Sequence, residues 1–263
     1  MSIWVALILG AVQGLTEFLP VSSSGHLTLL NKIFGIEENT LLLAVLLHLA
    51  TLFAVIYVLR KEIWELIRHP FSREAVNLYI ATVPTVVIVL LTKGLLENSF
   101  TSAKLLPYCF LITAALLLVT HFVGKRNEAK QICYPKVGFR NNTRSSLIMG
   151  IAQGVAVFPG ISRSGSTICA GLLAGEERGK VAKFSFLMSI PIILASMLWE
   201  IVSGDFGQIA TSEMVLPIIV SFLAAFLIGI LSIKLMLKVV EKAKYYWFSI
   251  YLVGIAILSF FVV

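Results

Sequence analysis

Long apolar runs, separated by short polar or basic connections, set the pattern of this chain from end to end. Six of the runs reach roughly the 20 residues needed to cross a hydrocarbon core about 30 Å thick. They are Thr40 to Leu59, Asn77 to Leu96, Leu105 to Gly124, Phe184 to Val202, Met214 to Leu237 and Tyr245 to Val263. Each predicts a transmembrane helix. Two further apolar segments, Ile3 to Leu19 and Ser146 to Ile161, end instead in a proline and a small polar cluster, then resume as a second short apolar stretch. That punctuation predicts re-entrant helix hairpins. Lipid cannot satisfy free N–H and C=O groups, so backbone leaves a helix at membrane depth only where protein buries it or a wet cavity receives it. A cavity is therefore expected at both breaks. The expected fold is an all-α integral membrane protein with six transmembrane helices plus two re-entrant helix hairpins.

Composition agrees with lipid as the solvent: 58% of 263 residues are hydrophobic and only 13% charged, too few ionised groups to clothe a soluble globule. The apolar start lacks a basic flank and runs into Gln13, Glu17 and Pro20 rather than a small-residue cleavage site, so it reads as part of the mature protein. A net charge of +7 comes with no nucleic-acid recognition module, and no nucleic-acid partner is expected. Its distribution reports orientation instead. Lys and Arg gather at Arg60, Lys61, Arg68 and Arg73, at Lys125, Arg126, Lys130, Lys136, Arg140 and Arg144, and at Lys238, Lys242 and Lys244. The positive-inside tendency makes these connections cytoplasmic and leaves Glu97 to Lys104 and Ser203 to Glu213, with both chain ends, outside. Cys109, Cys133 and Cys169 show no metal-ligand spacing and imply neither a disulfide framework nor a zinc site.

The chain also echoes itself. Gly10-Ala11-Val12-Gln13-Gly14 parallels Gly150-Ile151-Ala152-Gln153-Gly154, and Pro20-Val21-Ser22-Ser23-Ser24-Gly25 parallels Pro159-Gly160-Ile161-Ser162-Arg163-Ser164-Gly165 with one inserted residue. One polytopic domain over 1–263 is expected, with repeat one at about 1–124 and repeat two at about 145–263. Three spans follow each copy, and an odd number of crossings turns the second copy over. The result is an inverted-topology repeat whose two hairpin tips can meet near mid-membrane.

Those tips carry the chemistry. Glu17 lies in an apolar segment, where a carboxylate is expensive unless it lines water or has a partner. Gln13, four residues earlier, shares its helical face. Ser22, Ser23, Ser24 and His26 follow; a serine needs a nearby base to become a nucleophile, and His26 or Glu17 could serve, while His26 could equally attack phosphorus itself. An N-cap for a helix beginning near Leu27 is the purely structural use of these serines. In the second tip, Ser162, Arg163, Ser164, Gly165, Ser166 and Thr167 precede a helix expected near Ile168. Backbone amides at a helix N-terminus, hydroxyls and an arginine fork together suit phosphate oxygens. Snorkelling to the interface is the alternative for Arg163. His48, inside a predicted span, reads as a hydrogen-bonded packing residue.

Gln13-Gly14-Leu15-Thr16-Glu17-Phe18-Leu19-Pro20-Val21-Ser22-Ser23-Ser24-Gly25-His26 resembles the first signature of the undecaprenyl-diphosphatase family, also known for bacitracin resistance. Gln153-Gly154, Pro159 to Thr167 and Phe184 to Pro191 resemble its other motifs, so the likeness spans both halves. It implies hydrolysis of undecaprenyl diphosphate to the monophosphate carrier used in cell-wall building, with a divalent metal, usually Mg2+, in a bacterial plasma (inner) membrane and with the site open to the outer face. It maps catalytic roles to Glu17, Ser23, His26 and Arg163, and the phosphate-binding run to Ser162, Arg163 and Thr167, with Ser22, Ser164, Gly165 and Ser166 beside them. Glu17 and Gln13 would face the metal, although Gln13 brings an amide to a position often acidic. The nucleophile stays open among Ser23, His26 and water, and the oligomeric state stays open too, a homodimer among the options. A transporter or flippase for a polyprenyl phosphate is the rival reading, since broken helices in inverted repeats also build carriers.

Overall fold

The computed structural model describes residues 1–36, 40–129, 143–203, 212–242 and 244–263. Among them run α1 (Ile3–Thr16), α2 (Ser23–Phe34), α3 (Thr40–Val58), α4 (Arg60–Arg68), α5 (Arg73–Ser102), α6 (Leu106–Ala129), α7 (Thr143–Val155), α8 (Arg163–Leu173), α9 (Arg178–Ser203), α10 (Ser212–Glu241) and α11 (Tyr246–Val262). The described residues include no strand. The basic residues Lys130, Lys136 and Arg140, Cys133, and most of the Ser203 to Glu213 connection lie outside the described residues.

All six expected spans are helices, but they differ in reach. Four segments are long and apolar enough to cross a membrane: Arg73–Thr92, Leu106–Arg126, Arg178–Leu198 and Met214–Glu241. A fifth is reached only if Leu42–Val58 and Arg60–Arg68, bent 79° from each other, count as one span. The last, Tyr246–Val262, has 17 residues. At 1.5 Å per residue that is about 26 Å, at the short edge of a spanning helix. The chain is a multi-pass membrane protein turned polar side in: Leu91 is 81% and Phe261 85% exposed, while Gln13, Ser162 and Thr167 are 0 to 1% exposed.

The short helix α4 is not an expectation of the sequence, which reads as a basic connection there. Its first and last residues stack on aromatic rings, Arg60 5.4 Å above Tyr57 and Arg68 5.0 Å above Trp64. Phe71 just beyond it is 89% exposed. Lys183 of α9 reaches Glu62 at 2.7 Å and ties α4 to the bundle.

Each hairpin beds on helices from the other half. α1 lies along α10 and α7 along α5; α2 touches α11 and α8 touches α6; α3 packs on α10 and α9 on α5. Small residues make these approaches possible, as is usual between helices in lipid. A Cβ on Gly10 would strike the Ser221 backbone of α10, and one on Gly14 would come within 2.6 Å of the Ala225 carbonyl oxygen. On the other side, a Cβ on Gly150 would strike the Ala81 backbone of α5, and one on Gly154 would sit 2.8 Å from Ile88 Cβ. Polar ties reinforce both crossings: Ser232 donates to Leu15 O at 2.8 Å, and Thr85 to Gly150 O at 2.9 Å.

Candidate functional site: the meeting of two hairpin tips

Two serine caps shape the tips. α1 ends at Thr16, and the Glu17 amide closes its last turn on Gln13 O at 3.0 Å, which leaves the Glu17 side chain at the helix rim. After the turn through Pro20, Ser22 takes the left-handed region (φ 69°) and its Oγ accepts from the Gly25 amide at 3.4 Å. In the second tip Gly160 turns the chain with φ 93°, and Ser162 Oγ accepts from the Gly165 amide at 3.1 Å. The helices therefore start at Ser23 and Arg163, not near Leu27 and Ile168 as expected. Capping wins over the weak helix propensity of Ser and Gly, so the chemistry-bearing residues occupy first turns, where the positive end of the helix dipole lies.

The tips touch. Ser164 Oγ donates to Leu19 O at 3.0 Å, and a Cβ added at Gly165 would lie 3.1 Å from Pro20 Cβ. Thr113 of α6 supports the junction, accepting from the Ser162 amide at 3.1 Å and donating to Gly160 O at 3.3 Å.

Contact brings the carboxylate of one tip to the guanidinium of the other. Glu17 Oε1 accepts from Arg163 Nη2 in a direct ion pair. Glu17 Oε2 accepts from Ser23 Oγ at 2.5 Å and from Gln13 Nε2 at 3.2 Å. His48 Nε2, delivered by α3, stands 3.8 Å from the same Oε2. The Glu17 side chain is 5% exposed and that of Arg163 18%, so the pair is largely withdrawn from solvent and each charge depends on the other. Gln13 Oε1 is buried with no partner. A held hydroxyl, a carboxylate ready to take its proton and a fork for oxyanions are the parts of a phosphoryl-transfer site.

With that arrangement in view, the likeness to known proteins acquires a location. Residues 6–258 match the family described as bacitracin resistance protein BacA. The chain belongs to the BacA family. Among similar proteins called undecaprenyl-diphosphatase, that of Carboxydothermus hydrogenoformans is 42% identical over 262 residues, covering 98% of this chain and 97% of its own. Those of Parabacteroides distasonis and Thermosipho africanus are 39% and 40% identical, covering 95% and 97% of this chain and 94% and 98% of their own.

Other expected site residues of this BacA-family chain are placed differently. His26 Nδ1 donates to Ser22 O at 2.7 Å, which leaves Nε2 of the neutral ring to accept from the Tyr251 hydroxyl at 2.7 Å. Tyr251 stacks on the imidazole at 5.7 Å and Phe110 meets it edge-on at 5.5 Å. His26 thus faces α11 rather than Ser23. Thr167 turns away as well, bonding Arg163 O, Ser164 O and, at 2.6 Å, Ser185 Oγ of α9. Ser166 is buried, and Ser162 Oγ is engaged with the Gly165 amide and, at 3.3 Å, with Ser164 Oγ. Ser22 Oγ likewise meets Ser24 Oγ at 3.4 Å. Sequence reasoning missed His48 and Tyr251 as neighbours of the site. A lone imidazole in an apolar span was the available signal for His48; Tyr251 offered none, being one aromatic in a helix full of them.

Proposed function

We propose that this chain hydrolyses undecaprenyl diphosphate to undecaprenyl phosphate and inorganic phosphate, recycling the lipid carrier for cell-wall synthesis. The observation that carries the reading is Glu17, which gathers the Ser23 hydroxyl and the Arg163 guanidinium at the junction of the two tips. The names of the relatives point the same way.

The architecture we propose is the inverted repeat, with α3, α5, α6, α9, α10 and α11 spanning and α1/α2 and α7/α8 re-entrant from opposite sides. Reciprocal bedding of each hairpin on the other half supports it, because an inverted pair must place equivalent contacts on both sides. The basic connections then face the cytoplasm of a bacterial inner membrane, and the site opens to the outer face.

In the reaction we infer, Ser23 is the nucleophile and Glu17 its base. The Ser23 oxygen forms a bond to the terminal phosphorus as its proton passes to Glu17 Oε2. The bond from that phosphorus to the bridging oxygen breaks, and undecaprenyl phosphate departs. Water then cleaves the phosphoserine, inorganic phosphate leaves, and Ser23 recovers its proton. Arg163 pairs with Glu17 Oε1; phosphate oxygens would compete for the fork and draw it onto the substrate, where its charge offsets the charge that builds in the transition state. His26 and Tyr251 brace the first turn of α2 from behind.

The residues also fit a divalent ion: Gln13 turns Nε2 to Glu17 Oε2 at 3.2 Å and leaves its own Oε1 buried without a partner, so turning the amide over would present a hard oxygen beside the carboxylate that holds the Ser23 hydroxyl, donors of the kind Mg2+ takes. Gln13 and Glu17 would hold it, and it would screen the diphosphate charge.

The test is phosphate release from purified undecaprenyl diphosphate in detergent, with and without chelator, for the wild type and Ser23→Ala. The reading expects release that depends on metal and on Ser23, with lipid still bound by the variant. No release from wild-type protein would instead leave a carrier.

A further inference from the structure

We propose that His48 Nε2 is a ligand of the divalent ion held by Glu17 and Gln13, adding one nitrogen donor to a set of oxygens. The inference rests on the metal reading above and deepens it.

The geometry leaves Nε2 little else to do. His48 Nδ1 lies 2.7 Å from Ala44 O, one turn earlier on α3. A carbonyl only accepts, so Nδ1 carries the hydrogen and Nε2 of the neutral ring presents a lone pair. Nε2 stands 3.8 Å from Glu17 Oε2, beyond hydrogen-bonding reach. A divalent ion between these two atoms would be bound by both. Oε2 already accepts from Ser23 and Gln13, so it has no hydrogen to offer the ring. The His48 side chain keeps 31% of its surface open, so it is not sealed into packing as an inert histidine would be.

The donor set is mixed. Among the described residues no three His, Cys, Asp or Glu side chains gather tightly enough to hold a metal. Here two of those types, Glu17 and His48, stand with the hydroxyl of Ser23 and the amide of Gln13, whose Nε2 faces Glu17 Oε2 and whose unpartnered Oε1 would reach the ion once the amide turns over. The backbone bond on Nδ1 fixes the ring and its tautomer, as is usual for a metal-ligating histidine. α3 belongs to neither hairpin but packs against α1, so the ligand arrives from a third element and ties the first tip to the bundle whenever the ion is bound.

The experiment uses the full chain in detergent, loaded with Mn2+ and read by pulsed EPR. The expected result is imidazole nitrogen coupling in the wild type, lost in His48→Gln. Binding titrations should show Co2+ affinity falling about tenfold in His48→Gln while Mg2+ changes less than about threefold, because nitrogen donors favour the later transition metals and glutamine keeps an oxygen. No nitrogen coupling in the wild type overturns the inference, a result that needs no variant to fold. Coupling that survives His48→Gln and vanishes in His26→Gln also overturns it, making His26 the ligand. Chelator-insensitive phosphate release would remove the metal reading itself, whereas metal-dependent release without nitrogen coupling would remove only His48.

Discussion

The two hairpins share a plan and diverge at the residues that carry charge. Each has a Gly-x-x-Gln-Gly run that lets its first helix press on a helix from the other half, and each caps its second helix with a serine, two or three residues beyond a proline, that accepts from a glycine amide. Their glutamines are equally buried, and both leave Oε1 without a partner. Four residues on, the first hairpin has Glu17 and the second Val157. Gln13 therefore donates to a carboxylate, while Gln153 donates to Thr85 Oγ1 at 3.3 Å and Met188 O at 3.4 Å and serves as glue between helices. The two tips are built alike, and the reactive groups are divided between them: acid and hydroxyl on one, guanidinium on the other.

The largest expected effect tests that split. Glu17→Gln removes the base and strands Arg163, and phosphate release should fall by about 10³-fold or more, since both proton transfer and positioning are lost. Activity within tenfold of wild type in a radiolabelled-lipid assay would show that the two tips are not divided in this way. Arg163→Lys keeps the charge but not the fork, and kcat/KM should drop by about 10²-fold. Next come the shared glycines. Gly10→Ala and Gly150→Ala each force two helices apart and should destabilise the chain by about 1–3 kcal/mol, read as lowered unfolding midpoints in detergent. Sensitivity at only one of them would break the proposed equivalence of the hairpins. The glutamines should separate: Gln153→Ala lowers stability by about 1 kcal/mol with kcat unchanged, whereas Gln13→Ala lowers turnover. Smallest of all, Glu62→Gln at the half-exposed pair with Lys183 should move stability by no more than about 0.5 kcal/mol, which thermal melts of the two proteins would show.

Much of this was legible in the sequence because membrane physics writes in large letters. Prolines at the ends of apolar runs, Glu17 and Arg163 among apolar residues, and the repeated Gln-Gly all point to two tips that meet. The rest was hidden for identifiable reasons. The starts of α2 and α8 were placed too late because Ser and Gly look like loop until their capping geometry is known. Thr167 resembles an anion-binding hydroxyl, but helical register turns it onto Ser185. His26 was expected beside Ser23, yet the same first turn that presents Ser23 to Glu17 carries His26 round to Tyr251. His48 and Tyr251 reach the site from α3 and α11, and no local pattern reveals which residues of distant spans will converge. The bend before α4 lay in a basic stretch that the sequence marks only as a connection.

The bedding of α1 on α10 carries a consequence for biogenesis. The surface that receives the first helix lies some 200 residues downstream, so α1 leaves the ribosome long before its resting place exists. Until α10 enters the membrane, Gly10 and Gly14 lack the helix they press against. Late closure of so distant a contact makes the final spans the committing step of maturation, and truncation after α9 should leave an unfinished intermediate that quality-control proteases recognise.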